Sequence, residues 1–518
     1  MAKRRLTLEN FFKGWGLDYS SSNTSAIEAA EQEYSRSVAV DLFRPGKIGH
    51  LSPGTAFSLV VDNSSFVNQL PVDAITLSSG DHWIGLKTGR LVKSVFDSNI
   101  VSAREMSIAA AHSAHGSVVI DSLLQYKDAS EEYFFVAYRD ATDSDVARFV
   151  KSTGALDQDY MSTVPTGAAS LTTGVPHRMI RHIDGNVYIT NGRYVSKYNP
   201  ATTTFTLQAL DLEVGFIAAD IIPAGRYVLI VTYQQTTYIA GSGRGQSRSV
   251  LWDGFSPSYT LPADLEDNYV SALANKGTDI VAFTKGRNNT VKIKKYMGSY
   301  WKTLFESAQI GNPPKSWAES AFGQVEEFRG LLCWSDGTFR LLGYGSPDAS
   351  KIPEGFHYLT RVEESTGAAY VDEVGMIRML ETSNLYVGAH LTPGGYKILK
   401  HSDSKYSKNA SFLSRLYDLG KLCNIEKVDV YFSQFDSGGV VTIDIFRDYI
   451  STTGAGLLNR TLTAGSAESR TKMTIDDKLI EGINAFCVKL TWGHDTINRA
   501  AAIIRKIVVT YDDGSDSQ

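Results

Sequence analysis

His112 and His115 lie three residues apart, a spacing that on a helix turns two imidazoles to one side and could serve a metal ion. No HExxH motif and no nearby third ligand accompany them, so they read as polar residues of a short connector. His177 and His182, five apart where a turn runs into a strand, read the same way. Glycoside hydrolysis needs two carboxylates held a few ångströms apart. The adjacent pairs Glu326-Glu327 and Glu363-Glu364 do not supply this, because successive residues of a strand point to opposite faces. Both pairs read as solvated edge charges. Gly241-Ser242-Gly243-Arg244-Gly245-Gln246-Ser247 is glycine-rich enough to approach a phosphate. It lacks the closing Gly-Lys-Ser/Thr of a P-loop, and strand-like Val250-Leu251-Trp252 follows where a helix is needed. No Gly-x-Ser-x-Gly elbow occurs. No residue is therefore assigned a catalytic, cofactor-binding or metal role.

The elements that would position such groups are β-strands. The chain has 518 residues, a net charge of −5, 43% hydrophobic and 21% charged residues, and 44 Gly, 26 Tyr and 23 Phe. This composition suits a folded all-β protein of two to four units and excludes wholesale disorder or a single coiled coil. No apolar run approaches the ~18–20 residues of a membrane-spanning helix. No apolar stretch follows Met1-Ala2-Lys3-Arg4-Arg5, so a secretion signal is not expected. Cys333, Cys423 and Cys487 form no CxxC or zinc spacing and read as buried thiols. Charge is not segregated: residues 1–67 carry seven basic and seven acidic side chains, and residues 411–518 twelve and fourteen. That balance, with a pI near 6.1, excludes a sequence-specific DNA reader and leaves passive contact with DNA open.

Short runs of Val, Ile, Tyr, Phe and Thr are separated by Gly, Asn and Asp turns. Asn186-Val187-Tyr188-Ile189-Thr190 lies between Asp184-Gly185 and Asn191-Gly192, two strong hairpin signals. Such units start near residues 71, 119, 178, 217, 270, 319 and 367. This resembles the ~40–50-residue blade of a β-propeller, and seven units fit residues 68–410, with six or eight also compatible. Ser335-Asp336-Gly337-Thr338-Phe339 resembles part of the Asp-box turn of sialidase-like propellers. Its Asp is displaced and the closing Trp is absent, so it reads as a hairpin turn. Trp83, Trp252, Trp301, Trp317 and Trp334 could stack sugars at a propeller mouth, but blade cores are the better reading, since large aromatics supply much buried area.

Two capping-box patterns, Ser25-Ala26-Ile27-Glu28 and Ser102-Ala103-Arg104-Glu105, predict short helices running to Glu33 and Ala111. Residues 411–518 alternate cleanly, with Val428, Val430 and Phe432, then Val441, Ile443 and Ile445, then Phe486, Val488, Leu490 and Trp492, then Ile507, Val509 and Tyr511. One wet and one buried face per strand predicts an antiparallel β-sandwich. Residues 1–67 fit neither unit and read as an arm that needs a partner surface. Asp512 to Gln518 reads as a frayed tail.

Three features together carry a resemblance. The first is the opening, Phe11-Phe12-Lys13-Gly14-Trp15-Gly16-Leu17-Asp18 with Val40 to Gly54. The second is the degenerate propeller, with strands such as Gly185 to Gly192. The third is the closing unit, with Leu416 to Gly420, Lys427 to Phe432 and Val441 to Tyr449. The chain resembles virion structural proteins of tailed bacteriophages, in particular propeller-bearing tail nozzle and packaged-DNA stabilisation proteins. The resemblance implies a non-enzymatic subunit of a homo-oligomeric ring in the virion tail. Such a subunit assembles in the host cytoplasm beside portal, adaptor or other tail proteins, retains and conducts the genome, and needs no cofactor. Two rival expectations are a tail-tip or adhesin propeller that binds a host surface glycan, and a polysaccharide-degrading propeller enzyme.

Overall fold

Gly185 (φ 83°) and Gly192 (φ 62°) adopt the left-handed conformation that tight hairpin turns demand. They join Met179–Arg181 to Val187–Asn191, and that strand to Tyr194–Asn199. Repeated along the chain, this chemistry builds seven four-stranded antiparallel sheets, six of them separate and one continuous with a larger sheet. The computed structural model describes residues 3–9, 14–15, 33–38, 40–41, 52–53, 55–61, 69–94, 105–107, 118–140, 143–234, 247–260, 262–266, 269–285, 291–306, 324–335, 340–346, 354–361, 370–381, 384–392, 395–406, 410–433, 439–447, 458–463, 472–476, 480–494 and 503–512.

The seven sheets are the blades of a β-propeller. Their innermost strands are Pro71–Thr76, Val119–Lys127, Met179–Arg181, Phe216–Ala224, Tyr269–Lys276, Val325–Phe328 and Tyr370–Glu381. Each abuts the next, and the last returns to the first, so the ring is closed. In blades 1 to 6 the strands follow chain order from axis to rim. Blade 7 differs: its rim strand is Thr55–Val61, drawn from the segment read as the arm and paired antiparallel with Gly395–Tyr406. Trp83, Trp252, Trp301 and Trp334 are all buried in blade cores. Trp317 lies outside the described residues.

Glu105–Ser107 is the rim strand of blade 1, paired with residues 90–92, where the capping box predicts a helix. An open sheet edge with matching hydrogen-bonding groups outweighs local helix propensity there. Residues 25–32 and 108–111, the rest of the two expected helices, lie outside the described residues. Among those described, the single helix is Tyr160–Thr163, in the connector between blades 2 and 3.

Beyond the propeller, Tyr417–Phe432, Gly439–Arg447, Ile480–His494 and Ile504–Asp512 form a curled antiparallel sheet. It is not two separate layers. The first half of Tyr417–Phe432 pairs with Ile480–His494, and its second half pairs with Ile504–Asp512 and Lys472–Ile475. That long strand thus turns the corner itself. The alternating residues Val428, Val430, Val441, Ile443, Phe486, Val488, Leu490, Trp492, Ile507 and Val509 are all buried in one core. The N-terminal segment ties the two parts together. Lys3–Leu8 lies on the edge of Ile504–Asp512, and Gly14–Trp15 with Glu33–Val38 bridges the rim of blade 6 to Ser411–Ser414. Cys333, Cys423 and Cys487 are buried and join no disulfide.

Candidate functional site at the propeller axis

Polar residues recur in the otherwise apolar inner strands, and register shifts at the same places aim them. The shifts fall between Pro71 and Asp73, between Ile120 and Ser122, and between Ala218 and Asp220. Each aspartate at these shifts reaches the following blade. Asp73 accepts hydrogen bonds from its neighbour Ala74 N–H and from Leu123 N–H of blade 2, both at 2.8 Å. Asp121 accepts from His177 N–H at the start of blade 3 at 2.9 Å. Asp220 accepts from Ile221 N–H at 2.9 Å and from the Leu273 backbone of blade 5. Gln324 does the same from blade 6: Ile377 N–H of blade 7 donates to its Oε1 at 3.1 Å, and its Nε2 donates to Val72 carbonyl of blade 1 at 2.8 Å.

Three arginines answer these carboxylates. Arg378 of blade 7 donates from Nε to Asp73 at 2.8 Å and from an Nη to Glu326 at 2.7 Å, bridging blades 1 and 6. Arg139 holds Asp121 at 2.8 Å. Arg178 faces Asp220 at 3.8 Å. The two central arginines are shifted in opposite directions. Burial pulls the Arg178 guanidinium below its usual value, with a carboxylate only at longer range. Asp73 and Glu326 in direct contact outweigh burial at Arg378 and hold it above. Burial raises Glu326, against the pull of Arg378, and burial raises Asp220, against Arg178.

This arrangement corrects the reading of Glu326-Glu327 as edge charges. Glu327 is exposed, but Glu326 turns to the axis with 22% of its side-chain surface accessible. The opposite faces follow from strand geometry; the ion pair depends on Arg378, which is close only in the closed ring. Glu363-Glu364, His112, His115, residues 241–246 and residues 336–339 lie outside the described residues. His177 is wholly buried, with Nδ1 2.8 Å from Thr190 carbonyl and Nε2 3.2 Å from Thr172 carbonyl, and burial holds its pKa below 6.5. His182 lies 3.2 Å from Asp184 and 3.2 Å from Gly225 carbonyl of blade 4. Both histidines join blades and do not converge. Among the described residues no group of three or more His, Cys, Asp or Glu is placed to hold a metal ion.

Sequence reasoning passed over Asp73, Asp121, Asp220, Arg178 and Arg378. A signal was there: Val72-Asp73-Ala74, Ile120-Asp121-Ser122 and Ala219-Asp220-Ile221 each put one aspartate inside an apolar blade strand. Chemically, the cluster holds charge in place. Asp73 and Glu326 share one guanidinium, so a single side chain ties blades 1, 6 and 7 together.

A second polar clasp joins blades 1 and 2 at their turn side. Glu132 accepts from Ser78 N–H at 2.8 Å, from the Ser78 hydroxyl, from Gln125 at 2.6 Å and from Lys151 at 2.6 Å. These partners outweigh the burial of the carboxylate and lower it to about 2.

No protein-family model matches the chain, and no curated protein matches it. Among solved structures it is similar to the extracellular domain of a putative hybrid two component system from B. thetaiotaomicron, at 12% identity and a TM-score of 0.43, over 66% of this chain and 41% of that one. It is also similar to the computationally designed Ika8 protein, at 11% identity and a TM-score of 0.37, over 66% of this chain and 99% of that one. The chain therefore spans less than half the length of the first of these.

Proposed function

We propose that the protein is a structural, non-enzymatic subunit of a tailed-phage virion, part of a nozzle or head-to-tail channel extension, acting as a homo-oligomeric ring. The observation that carries this reading is the path of the N-terminal segment. Its strands enter the curled sheet, the bridge to blade 6 and the rim of blade 7. Such lacing ties two β units into one body suited to bearing load, and it joins the three-part resemblance in sequence. Mass photometry and negative-stain imaging of the purified protein, with mass spectrometry of purified virions, test it. A closed ring and a virion containing the chain are expected; a virion lacking the chain overturns the reading.

A second reading, a propeller that binds a host surface glycan, is favoured by one observation. Phe255 and Tyr300 are 77% and 55% exposed on turns of blades 4 and 5 that open on the same side of the ring. Aromatic faces of this kind stack on sugar rings. Binding on a glycan array that F255A and Y300A abolish without loss of fold would support it; no binding by the wild-type protein would remove it.

A further inference from the structure

A closed ring of blades must be sealed where its last blade meets its first, and here that seam is built differently at rim and axis. The rim is sealed by Thr55–Val61 pairing with Gly395–Tyr406. At the axis, Gln324 and Glu326 of blade 6, Arg378 of blade 7 and Asp73 of blade 1 are joined through one side-chain amide and one guanidinium. Thr76 adds a bond from its hydroxyl to Leu380 carbonyl at 3.0 Å. The packing between these contacts is equally particular. A Cβ on Gly375 would collide with Pro71 carbonyl and stand 2.7 Å from Leu70 Cγ, and one on Gly388 would stand 2.6 Å from Pro71 Cβ.

We propose that Gln324, Glu326, Arg378 and Asp73 form an ionic latch at which the propeller opens, so that blades 1 and 7 part as a defined local event while blades 3 and 4 stay closed. Three observations support this. Arg378 is the group that contacts carboxylates of two other blades at once, so its loss frees both. Its side chain keeps 25% of its surface accessible, so water can reach and compete for the pair. At the blade 3–4 junction His182 to Gly225 and Lys197 to Gly254 carbonyl, at 3.2 and 3.0 Å, come from separate side chains, so no single loss frees both. An opening that breaks one seam costs less than one that dismantles the ring.

The test is hydrogen–deuterium exchange on the full chain with R378M, which keeps the apolar stem and removes the fork. Exchange in Pro71–Thr76 and Tyr370–Glu381 is expected to rise by tenfold or more (roughly the effect of losing a partner from a partly buried pair). Val187–Asn191 and Tyr227–Gln234 are expected to stay within about twofold of wild type. A uniform rise across all blades, or no rise at the seam, overturns the proposal. R378K keeps the charge but cannot hold two carboxylates as a fork does. It gives the same pattern at smaller amplitude, so the test survives if R378M does not fold; an R378K pattern that is uniform or unchanged likewise overturns it.

Discussion

Blades 1 to 5 and the body formed by blades 6 and 7 with the curled sheet are stabilised in different ways. Between the early blades the apolar side chains fall into small separate clusters, each shared by two neighbours. Trp83, Phe134 and Phe149 serve blades 1 and 2, while Tyr188, Val228 and Trp252 serve blades 3 and 4. Toward the C-terminus one cluster runs without a break from Leu331 and Cys333 of blade 6 through Leu385 and Val387 of blade 7 to Phe412, Val430, Val488 and Trp492. The first arrangement is modular, with each interface depending on its neighbours as in repeat proteins. The second is a single cooperative body. The polar contacts follow the same division. Clasps such as Ser78–Glu132–Lys151 join one blade to the next, whereas Arg378 and Gln324 each span three blades where the two regimes meet.

Removing a large side chain from each regime should separate them most clearly. W83A and W492A should each cost about 3–5 kcal/mol, as aromatic-to-alanine changes in packed cores do. W83A should raise hydrogen exchange in blades 1 and 2 alone, and W492A should also raise it in Asn384–Thr392. Unchanged protection of that blade 7 strand in W492A would break the comparison.

Next in size is the seam between the regimes. G375A should destabilise by about 1–3 kcal/mol or more, the cost of forcing atoms into a filled space. Denaturant melts read the loss. A neutral G375A would mean that Pro71 and Leu70 yield easily, contrary to their packing.

Smaller effects come from two carboxylates of blade 2 that titrate in opposite senses. Glu132 is depressed from 4.5 to about 2 by Lys151, Ser78 and Gln125. Its contribution is present above pH 4.5 and is lost as pH falls through the folded value near 2. E132Q should cost about 1–3 kcal/mol at neutral pH and remove that part of the acid dependence. Asp145 is raised to about 7, chiefly by burial. Its contribution is full below its unfolded pKa near 3.8 and is lost as pH rises to about 7. D145N should therefore be better tolerated at pH 8 than at pH 5. Thermal melts across pH 2 to 8 check both, and parallel curves for wild type and variant would rule out the assigned group.

Much of the propeller is legible in the sequence because its determinants are local. The expected starts near 71, 119, 217 and 270 fall within one residue of the observed inner strands, since hairpin turns and alternation are set by adjacent residues. Elements that depend on distant partners are not. Thr55–Val61 becomes a blade strand only because Gly395–Tyr406 offers it an edge, and Glu105–Ser107 is a strand only because Arg90–Ser94 lies beside it. The buried faces of the C-terminal runs are visible in their alternation. That Tyr417–Phe432 turns the corner itself is not, because its pairing switches partner mid-strand without a change of pattern. The axial site was hidden for a related reason. An arginine in Met376-Ile377-Arg378-Met379-Leu380 reads as an outward residue until the ring places Asp73 and Glu326 on either side of it.

The rim strand of blade 7 also sets a clock for biosynthesis. Val61 pairs with Ile398, 337 residues later in the chain (398 − 61). At about 5–20 residues per second, roughly 20–70 s pass between their translation. Throughout that interval the Thr55–Val61 segment is on hand with its final partner not yet made. A nascent chain holding an unpaired strand of this kind is a target for chaperones and for wrong pairing with a neighbouring polysome product, so yield should respond to translation speed more than the stability of the finished ring would suggest.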